Sequence, residues 1–360
     1  MLESTRHYFE KELKSIRQYL NHIRFINGLA EFKSSPEDRA EVLLLTSQIE
    51  EHFKDFRNSK KIFEYKALII SLYGLLEGYI NLAVKDYINY LSSVAQDYNS
   101  LGPKFIEQHF DLSIKLITTI TSKDYAKFSH LNKNDVLKNV NDCITTPESF
   151  SINTDAFILS AGNLKHTKIA EVFLPLSISI NDGFNKSESF RAFVGRDFSH
   201  TDSDVTFFRI NDLVDRRNKI AHGTDIIDDI LDVSTLTPYI DFLEQYCKTI
   251  HWILCEDLVK YESENKYFKI ESVLQVWGGA IVGVELENYC LSVGEFLIIK
   301  TQEDRYFKKK ITSIQVDGHS YDSLQVMDKT KVAIKVDSGL KDNQIFFLLN
   351  KPITPMLFVI

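Results

Sequence analysis

The hydrophobic pattern of the chain changes its period once, near residue 266, and this change constrains the fold more than any other feature. Upstream of that point, apolar residues recur every three to four positions, which is the spacing of amphipathic helices. Downstream, the period falls to two, and glycines separate short β-rich runs. We therefore predict an α + β multidomain protein, in which an all-α helical bundle is followed by a small C-terminal β-barrel.

The boundary between the two regions falls in a short polar segment. Residues 262–265 are interpreted as a linker, which gives an α-helical domain over 1–263 and a barrel domain over 266–360. Closing six short strands into a barrel would remove exposed sheet edges. These strands are predicted over 268–277, 280–286, 295–300, 306–316, 331–336 and 345–349.

One helical segment, residues 63–94, is apolar on nearly all sides, which is typical of the central helix of a bundle. Residues 182–201 are predicted to form a loop, and residues 223–228 a turn. Further helices are predicted over 2–32, 37–54, 163–174, 205–222 and 236–261.

Composition restricts the classes of function. The chain is 44% hydrophobic and 26% charged, as in ordinary globular proteins, and no unbroken apolar run reaches the roughly 18 residues of a membrane span. The net charge of −8 argues against nucleic-acid binding by bulk electrostatics, so attraction to RNA would have to be local. The four cysteines are far apart, which favours a reducing cytoplasm and gives no metal-ligand spacing.

An octapeptide near the end of the predicted helix 205–222 carries the clearest chemistry. It runs from Arg216 to Gly223 and places Arg217, Asn218 and His222 within about two helical turns. These side chains supply a fixed cation, a neutral polar group and a group that titrates near neutrality. Gly223 suits the left-handed residue that ends helices.

A helical projection puts Arg217 in the middle of an apolar stripe. The stripe is formed by Ile210, Leu213, Val214, Ile220 and Ala221. Since a buried arginine needs a partner, Arg217 either points into a polar cleft or meets a carboxylate. Taken singly, a histidine at a helix end and an arginine on an apolar face are more often structural than catalytic.

The sequence "LVDRRNKIAHG" resembles the last conserved block of the HEPN superfamily, whose ribonucleases carry an arginine followed by a histidine after four to six residues. The sequence "SLYGLLEGYINLAVKDYINYL" is similar to a helix of the bacterial RiboL-PSP-like HEPN nucleases. Together these resemblances cover about residues 60–225. Some HEPN proteins have a tyrosine two residues after the histidine, whereas this chain has Thr224.

The resemblance implies a homodimer in which two motif helices face each other across a composite site that cleaves RNA without a metal or cofactor. In such a site His222 would transfer a proton, Arg217 would bind the phosphate, and Asn218 would orient the substrate or His222. Supporting or substrate-binding roles fall to four further residues: Arg216, Lys219, Glu77 and Tyr73. Glu77 is either an anchor for Arg216 or Arg217 or a catalytic group, and Tyr73 also suits a core position.

The C-terminal region is similar to the second domain of translational GTPases, through the sequences "IVGVELENYCLSVGEFLIIK", "ITSIQVDG" and "VAIKVD". The family usually has an aspartate where this chain has Glu295. The resemblance implies a barrel that recognises structured RNA, binds a protein, caps the dimer or is purely structural.

These observations favour an endoribonuclease of the HEPN type, acting as a toxin or anti-phage effector. Its expected partners are an RNA substrate such as tRNA and an antitoxin or sensor protein, with no membrane. The alternative is a non-catalytic HEPN module that binds nucleotide or protein and uses the barrel for recognition. A purely structural interaction protein is a third hypothesis.

Overall fold

The computed structural model describes residues 2–31, 33, 35, 39–54, 56–122, 128–159, 162–195, 203–223 and 230–351. The chain divides into two compact units, Met1–Ile253 and Leu254–Ile360. The first unit is helical and the second carries antiparallel sheets, so the predicted α + β class is confirmed. The proposed domain limits at 263 and 266 stay predictions.

The described helices are α1 (Leu2–Ala30), α2 (Ala40–Lys54), α3 (Arg57–Val94), α4 (Pro103–Thr121), α5 (Lys133–Thr145), α6 (His166–Phe173), α7 (Ile180–Lys186), α8 (Glu188–Val194), α9 (Ser203–Thr206), α10 (Phe208–His222) and α11 (Val233–Asn265).

Helix α3 forms the centre of the helical unit, as its apolar sequence predicts. Fifteen of its residues are buried, among them Leu72, Leu76 and Ile80, which have no exposed surface. On one side α1 packs along it, with the rings of Phe9 and Tyr79 5.0 Å apart. The Tyr79 hydroxyl also donates a hydrogen bond to the carbonyl of Cys247 on α11, so α3 is enclosed by neighbouring helices.

By length and composition alone, α3 could cross a membrane, because its most apolar 18-residue window has a mean hydropathy of 1.6. The sequence holds no unbroken apolar run of that length, and only the window average identifies the segment. Of that window, 56% is buried inside the protein, as in the core helix of a helical bundle.

Several helix predictions need correction. Helix α3 begins at Arg57, six residues before the predicted start. Residues 182–195, predicted as a loop, lie mainly in α7 and α8, whose first turns are capped by the Ser179 and Ser187 hydroxyls. The remaining predicted loop residues, 196–201, lie outside the described residues. The 262–265 segment continues α11, because Glu262 and Ser263 are buried rather than solvated.

The second unit contains three antiparallel sheets around one hydrophobic core. The sheet orders are β1-β11-β5-β6, β2-β3-β10-β7-β8 and β4-β9. The strands are β1 (Tyr267–Lys269), β2 (Val273–Trp277), β3 (Ile281–Leu286), β4 (Tyr289–Ser292), β5 (Phe296–Lys300), β6 (Tyr306–Lys310), β7 (Ser313–Val316), β8 (His319–Tyr321), β9 (Ser323–Val326), β10 (Thr330–Lys335) and β11 (Ile345–Leu349).

Two of the six predicted strands were wrong because each is two strands in different sheets. Residues 268–277 span β1 and β2, and residues 306–316 span β6 and β7. At the second break, the Ile311 N–H donates to the carbonyl of Glu295 in the strand β5 region, while the next N–H, of Thr312, donates to Lys335 of β10. The period-two hydrophobic pattern continues where the chain passes from one sheet to the next, so the pattern did not reveal the break between the two strands. The short strands β4, β8 and β9 were not predicted.

Candidate functional site

The octapeptide lies in the last two turns of α10. The helix ends at His222, and Gly223 follows in the left-handed conformation with φ 61° and ψ 15°. The Gly223 N–H donates to the carbonyl of Lys219 at 3.3 Å, which closes the last turn. The predicted helix stop is therefore confirmed, and it leaves His222 at the negative end of the helix dipole.

The predicted apolar stripe of α10 is buried only in its first part. Ile210, Leu213 and Val214 are buried against the bundle, but Ile220 is half-buried and Ala221 is exposed. The stripe thus packs against the bundle only in its first part. The last turn of α10 is open to solvent, which leaves that turn accessible to a partner or a substrate.

Arg217 is held between the buried and the open parts of α10. Its guanidinium carbon lies 4.4 Å from the centroid of the Tyr73 ring on α3, a cation–π distance. One guanidinium N–H donates to the Asn218 side-chain carbonyl at 3.0 Å. Since a guanidinium carries five N–H donors, this bond leaves others for an anionic ligand. Asn218 therefore contacts Arg217, and its predicted role of orienting the substrate or His222 stays a prediction.

Tyr73 supplies the ring on which the Arg217 guanidinium lies. Its side chain is 2% exposed, and burial raises the pKa of the Tyr73 phenol, with a further increase from the negative charge of Glu77. The positive charge of Arg217 and the nearby backbone of Asn163 and Leu164 act in the opposite direction. Within the part of the chain that the structure describes, the buried Tyr73 hydroxyl meets no hydrogen-bond partner. Tyr73, Glu77 and Arg217 are thus brought together electrostatically, although the position of Glu77 does not decide between its anchoring and catalytic roles.

Arg216 points away from this arrangement and into the bundle. Its Nε donates to Asp212 at 2.6 Å, and its Nη1 donates to the Tyr65 hydroxyl at 2.8 Å. The Tyr239 hydroxyl donates to the same Asp212 oxygen at 2.6 Å, and burial raises the pKa of Tyr239 to about 12, with a further increase from this bond. These contacts tie α10 to α3 and α11, so Arg216 has a clear structural role.

The other motif residues face solvent. Lys219 and His222 are exposed, one turn apart along the open end of α10. The Thr224 position lies outside the described residues. A basic side chain and an imidazole are therefore accessible to solvent in the last turn of α10.

A second set of contacts fixes the opposite flank of α10. The side-chain Oδ1 of Asn211 accepts the His166 backbone N–H at 3.0 Å, which caps helix α6. Lys165 forms an ion pair with Asp215 at 2.8 Å. The His166 ring stacks on Phe207, with centroids 3.3 Å apart. These contacts position the motif helix from outside the motif.

The profile of the RiboL-PSP-HEPN family matches residues 35–256, which is well over half of the chain. The chain belongs to the RiboL-PSP-HEPN family. The match extends beyond the 60–225 region identified from the motifs, and it includes α3, α10 and most of α11. Membership in a HEPN family is consistent with an RNase or nucleotide-binding role.

The remaining comparisons add little about this HEPN protein. A search of curated proteins found no match. Among solved structures, GDP-bound aIF5B from Aeropyrum pernix is 14% identical over 41% of this chain and 28% of that chain, with a TM-score of 0.17. The chain spans under a third of that protein, and a TM-score this low does not establish a shared fold.

Three contacts of the HEPN site were missed by sequence reasoning: those of Tyr65, Asp212 and Tyr239. Asp212 was within reach, because it lies four residues before Arg216, the spacing of a helical ion pair. Tyr65 and Tyr239 lie on other helices, and no local pattern pairs them with Arg216. Within the described ranges of the chain, no group of three His, Cys, Asp or Glu side chains is placed to hold a metal ion.

Proposed function

We propose that this HEPN protein is a metal-independent endoribonuclease whose active site uses Arg217 and His222. The observation that carries the proposal is the contrast between neighbouring residues on α10. Arg216 is bound by Asp212 and Tyr65, whereas Arg217 lies over a tyrosine ring and donates one hydrogen bond, to Asn218, among the described residues. His222 is exposed at the same helix end.

The chemistry follows from the side chains. The RNA 2′-hydroxyl attacks the adjacent phosphorus, His222 transfers a proton to or from the reacting oxygens, and the 5′-oxygen leaves with the return of a proton. Arg217 binds the non-bridging oxygens and stabilises the charge that develops on them. DNA lacks the attacking hydroxyl, so only RNA would be cleaved.

Two copies would complete the site. One chain supplies a single exposed His222, whereas proton removal and proton donation are most efficient with two groups on opposite sides of the phosphate. A symmetric dimer that joins the open ends of two α10 helices would bring together two Arg217, two His222 and two Lys219 side chains. It would also concentrate positive charge locally in a chain of net charge −8.

The first experiment measures cleavage of labelled RNA in EDTA by wild type, His222→Ala and Arg217→Lys. His319→Ala is the matched control, because His319 is exposed in the sheet unit. We expect losses of at least about 100-fold for the two site variants, none for the control, and products with 2′,3′-cyclic phosphate ends. Equal cleavage by wild type and His222→Ala refutes the proposal.

The second experiment tests the composite site by mixing two inactive variants. If Arg217 of one protomer works with His222 of the other, a mixed dimer of Arg217→Ala and His222→Ala keeps one such pair across the interface, with one of the two His222 side chains. Activity should then return in part in the mixture, whereas each variant alone stays inactive. A mixture that forms mixed dimers and stays inactive contradicts this division of residues between protomers.

The biological role proposed is that of a toxin or anti-phage effector in the cytoplasm, controlled by an antitoxin or sensor protein. Expression of the wild type should arrest growth, and His222→Ala should relieve the arrest. Sequencing RNA ends after induction would show whether tRNA or another structured RNA is the substrate.

The second candidate function is a non-catalytic module that binds nucleotide or protein. It is favoured by the Tyr73 and Asn218 contacts of Arg217, which also suit an arginine that anchors one helix to another. In that case, nucleotide or protein binding would persist in His222→Ala, and the wild type would not cleave RNA.

A further inference from the structure

One face of the five-stranded sheet in the second unit is turned away from the hydrophobic core. Along β3 and β10, Val282, Val284, Val332 and Ile334 point into the core and are at most 1% exposed. The alternate residues of these strands point outward. The outward face is therefore defined by the strand register and does not contribute to the core.

Trp277 of β2 lies on this face, over a glycine of the neighbouring strand. A Cβ atom added to Gly283 would lie 2.6 Å from both Cη2 and Cζ3 of the Trp277 ring. The six-membered ring thus rests directly on the backbone of β3, in a space that only glycine provides. Trp277 is nevertheless 44% exposed, so the indole is held against the sheet with part of its surface in solvent.

Positive charge flanks the small residues beside this indole. Ala333 of β10 pairs directly with Gly283, and Lys331 and Lys335 lie two positions before and after Ala333 on the same outward face. Both lysines are exposed and about 13 Å apart along the strand. Glu285 is the cross-strand neighbour of Lys331 and also lies 3.9 Å from Lys329, so two lysines share this carboxylate while Lys335 lies opposite Ile281.

The geometry points to this outward face, defined by Trp277, Gly283, Ala333, Lys331 and Lys335, as a binding surface for single-stranded RNA. A base stacks on the solvent-facing side of the indole, and the two lysines contact phosphates on either side of the Ala333 position. The inference rests on the proposed ribonuclease function, because it names the sheet unit as a place where substrate RNA is held.

Two properties favour RNA over a protein partner. Holding Trp277 flat on Gly283 fixes the ring before binding, so stacking requires little further ordering of the side chain. The paired lysines on either side of a small, flat surface complement a backbone with regularly spaced negative charges. The apolar part of the face consists of Trp277, Ala333 and the half-buried Ile281, which is less area than a stable protein interface needs.

The binding experiment uses the two tryptophans of the chain, Trp252 and Trp277. In a His222→Ala and Trp252→Phe background, the RNA stays intact and Trp277 is the only indole reporter. Titration with an unstructured oligonucleotide such as oligo(U) should quench the fluorescence of Trp277. In the same His222→Ala background, Trp277→Leu should weaken RNA binding about tenfold, and Trp277→Phe should weaken it less.

The lysines are tested by the salt dependence of binding. The double variant Lys331→Gln and Lys335→Gln should lower the slope of log affinity against log salt by about 1.4, which corresponds to two lost contacts with a single strand. Lys310→Gln is the matched control, because Lys310 is exposed in a different sheet of the same unit and should leave the slope unchanged.

The outcomes separate this inference from the proposed catalysis. Cleavage of a dinucleotide substrate reports on the His222 site and is measured separately from the binding of oligo(U). If RNA quenches Trp277 but wild type never cleaves RNA, the surface stands and the nuclease proposal fails. If RNA is cleaved while the Trp277 and lysine variants bind like wild type, or if only a protein quenches Trp277, the RNA surface is overturned.

Discussion

Protonation of one buried histidine should weaken the packing that positions α10. The Nε2 atom of His166 lies 2.8 Å from the side-chain oxygen of Asn181, so Nε2 carries the ring hydrogen and donates it. The Nδ1 atom accepts a hydrogen bond from the Tyr246 hydroxyl at 2.9 Å. A second proton would have to sit on Nδ1, where it displaces the Tyr246 hydrogen. Burial lowers the pKa of His166 to about 4, and the bond to Asn181 opposes this change only in part.

The size of the effect follows from the two pKa values. The difference between 6.5 and about 4 corresponds to about 3 kcal/mol in full, at about 1.4 kcal/mol per pKa unit. The folded state favours neutral His166, so this stabilisation is fully present above pH 6.5 and is lost as the pH falls towards 4. Between pH 7 and pH 5, the loss from His166 alone should be about 2 kcal/mol.

Urea denaturation of wild type and His166→Phe at pH 7 and pH 5 tests this prediction. Phenylalanine keeps the stack on Phe207 but does not titrate, and at pH 7 it leaves Tyr246 and Asn181 without their partner, so the variant starts less stable. On lowering the pH, however, it should lose about 2 kcal/mol less than wild type. Equal losses in the two proteins, or an NMR signal of imidazolium at His166 at pH 5, would refute the reasoning.

Three further substitutions test individual contacts. Tyr73→Phe keeps the ring beneath Arg217 and removes a buried hydroxyl that no described residue pairs with, so Tm and RNA cleavage should be unchanged or higher. A large loss of cleavage would assign the hydroxyl a role. Gly223→Ala places a side chain at φ 61°, which should lower the free energy of unfolding by about 1 kcal/mol and reduce cleavage through fraying at His222. Gly183→Ala places a Cβ 2.4 Å from Ile253 Cγ1, and denaturation should show a loss of about 1–3 kcal/mol.

The fold was predictable where one hydrophobic period extends over many consecutive residues. The apolar character of α3 and the change to period two near residue 266 both gave the correct element type. The short helices α7 and α8 were missed because seven residues hold only two turns, too few for a periodic pattern. Their capping serines, Ser179 and Ser187, were the available signal, and both lie three residues before the N–H that they accept.

The candidate site was predictable in its residue types but not in its contacts. A helical projection placed Arg217 on the packed side of α10, and it did so because the angle between residues of one helix is constant. The ring on which Arg217 lies, Tyr73, is 144 positions earlier in the chain, and helix packing alone sets that distance. Similarly, Trp277 and Gly283 are close in sequence, but only the β2–β3 register places the indole over the glycine.

The adjacent arginines of the octapeptide show how one helix can separate stability from chemistry. Residues next to each other on a helix point about 100° apart, so Arg216 and Arg217 enter different surroundings. Arg216 pairs with Asp212, and its loss would leave that carboxylate unpaired in a partly buried position. The bond from Arg216 to Tyr65 ties α10 to α3. Among the described residues, Arg217 is held by the Tyr73 ring and Asn218 rather than by a hydrogen-bonded carboxylate. A cation that needs no ion pair to stay in place is better suited to bind phosphate, which is why we assign the substrate contact to Arg217 and the anchoring of the helix to Arg216.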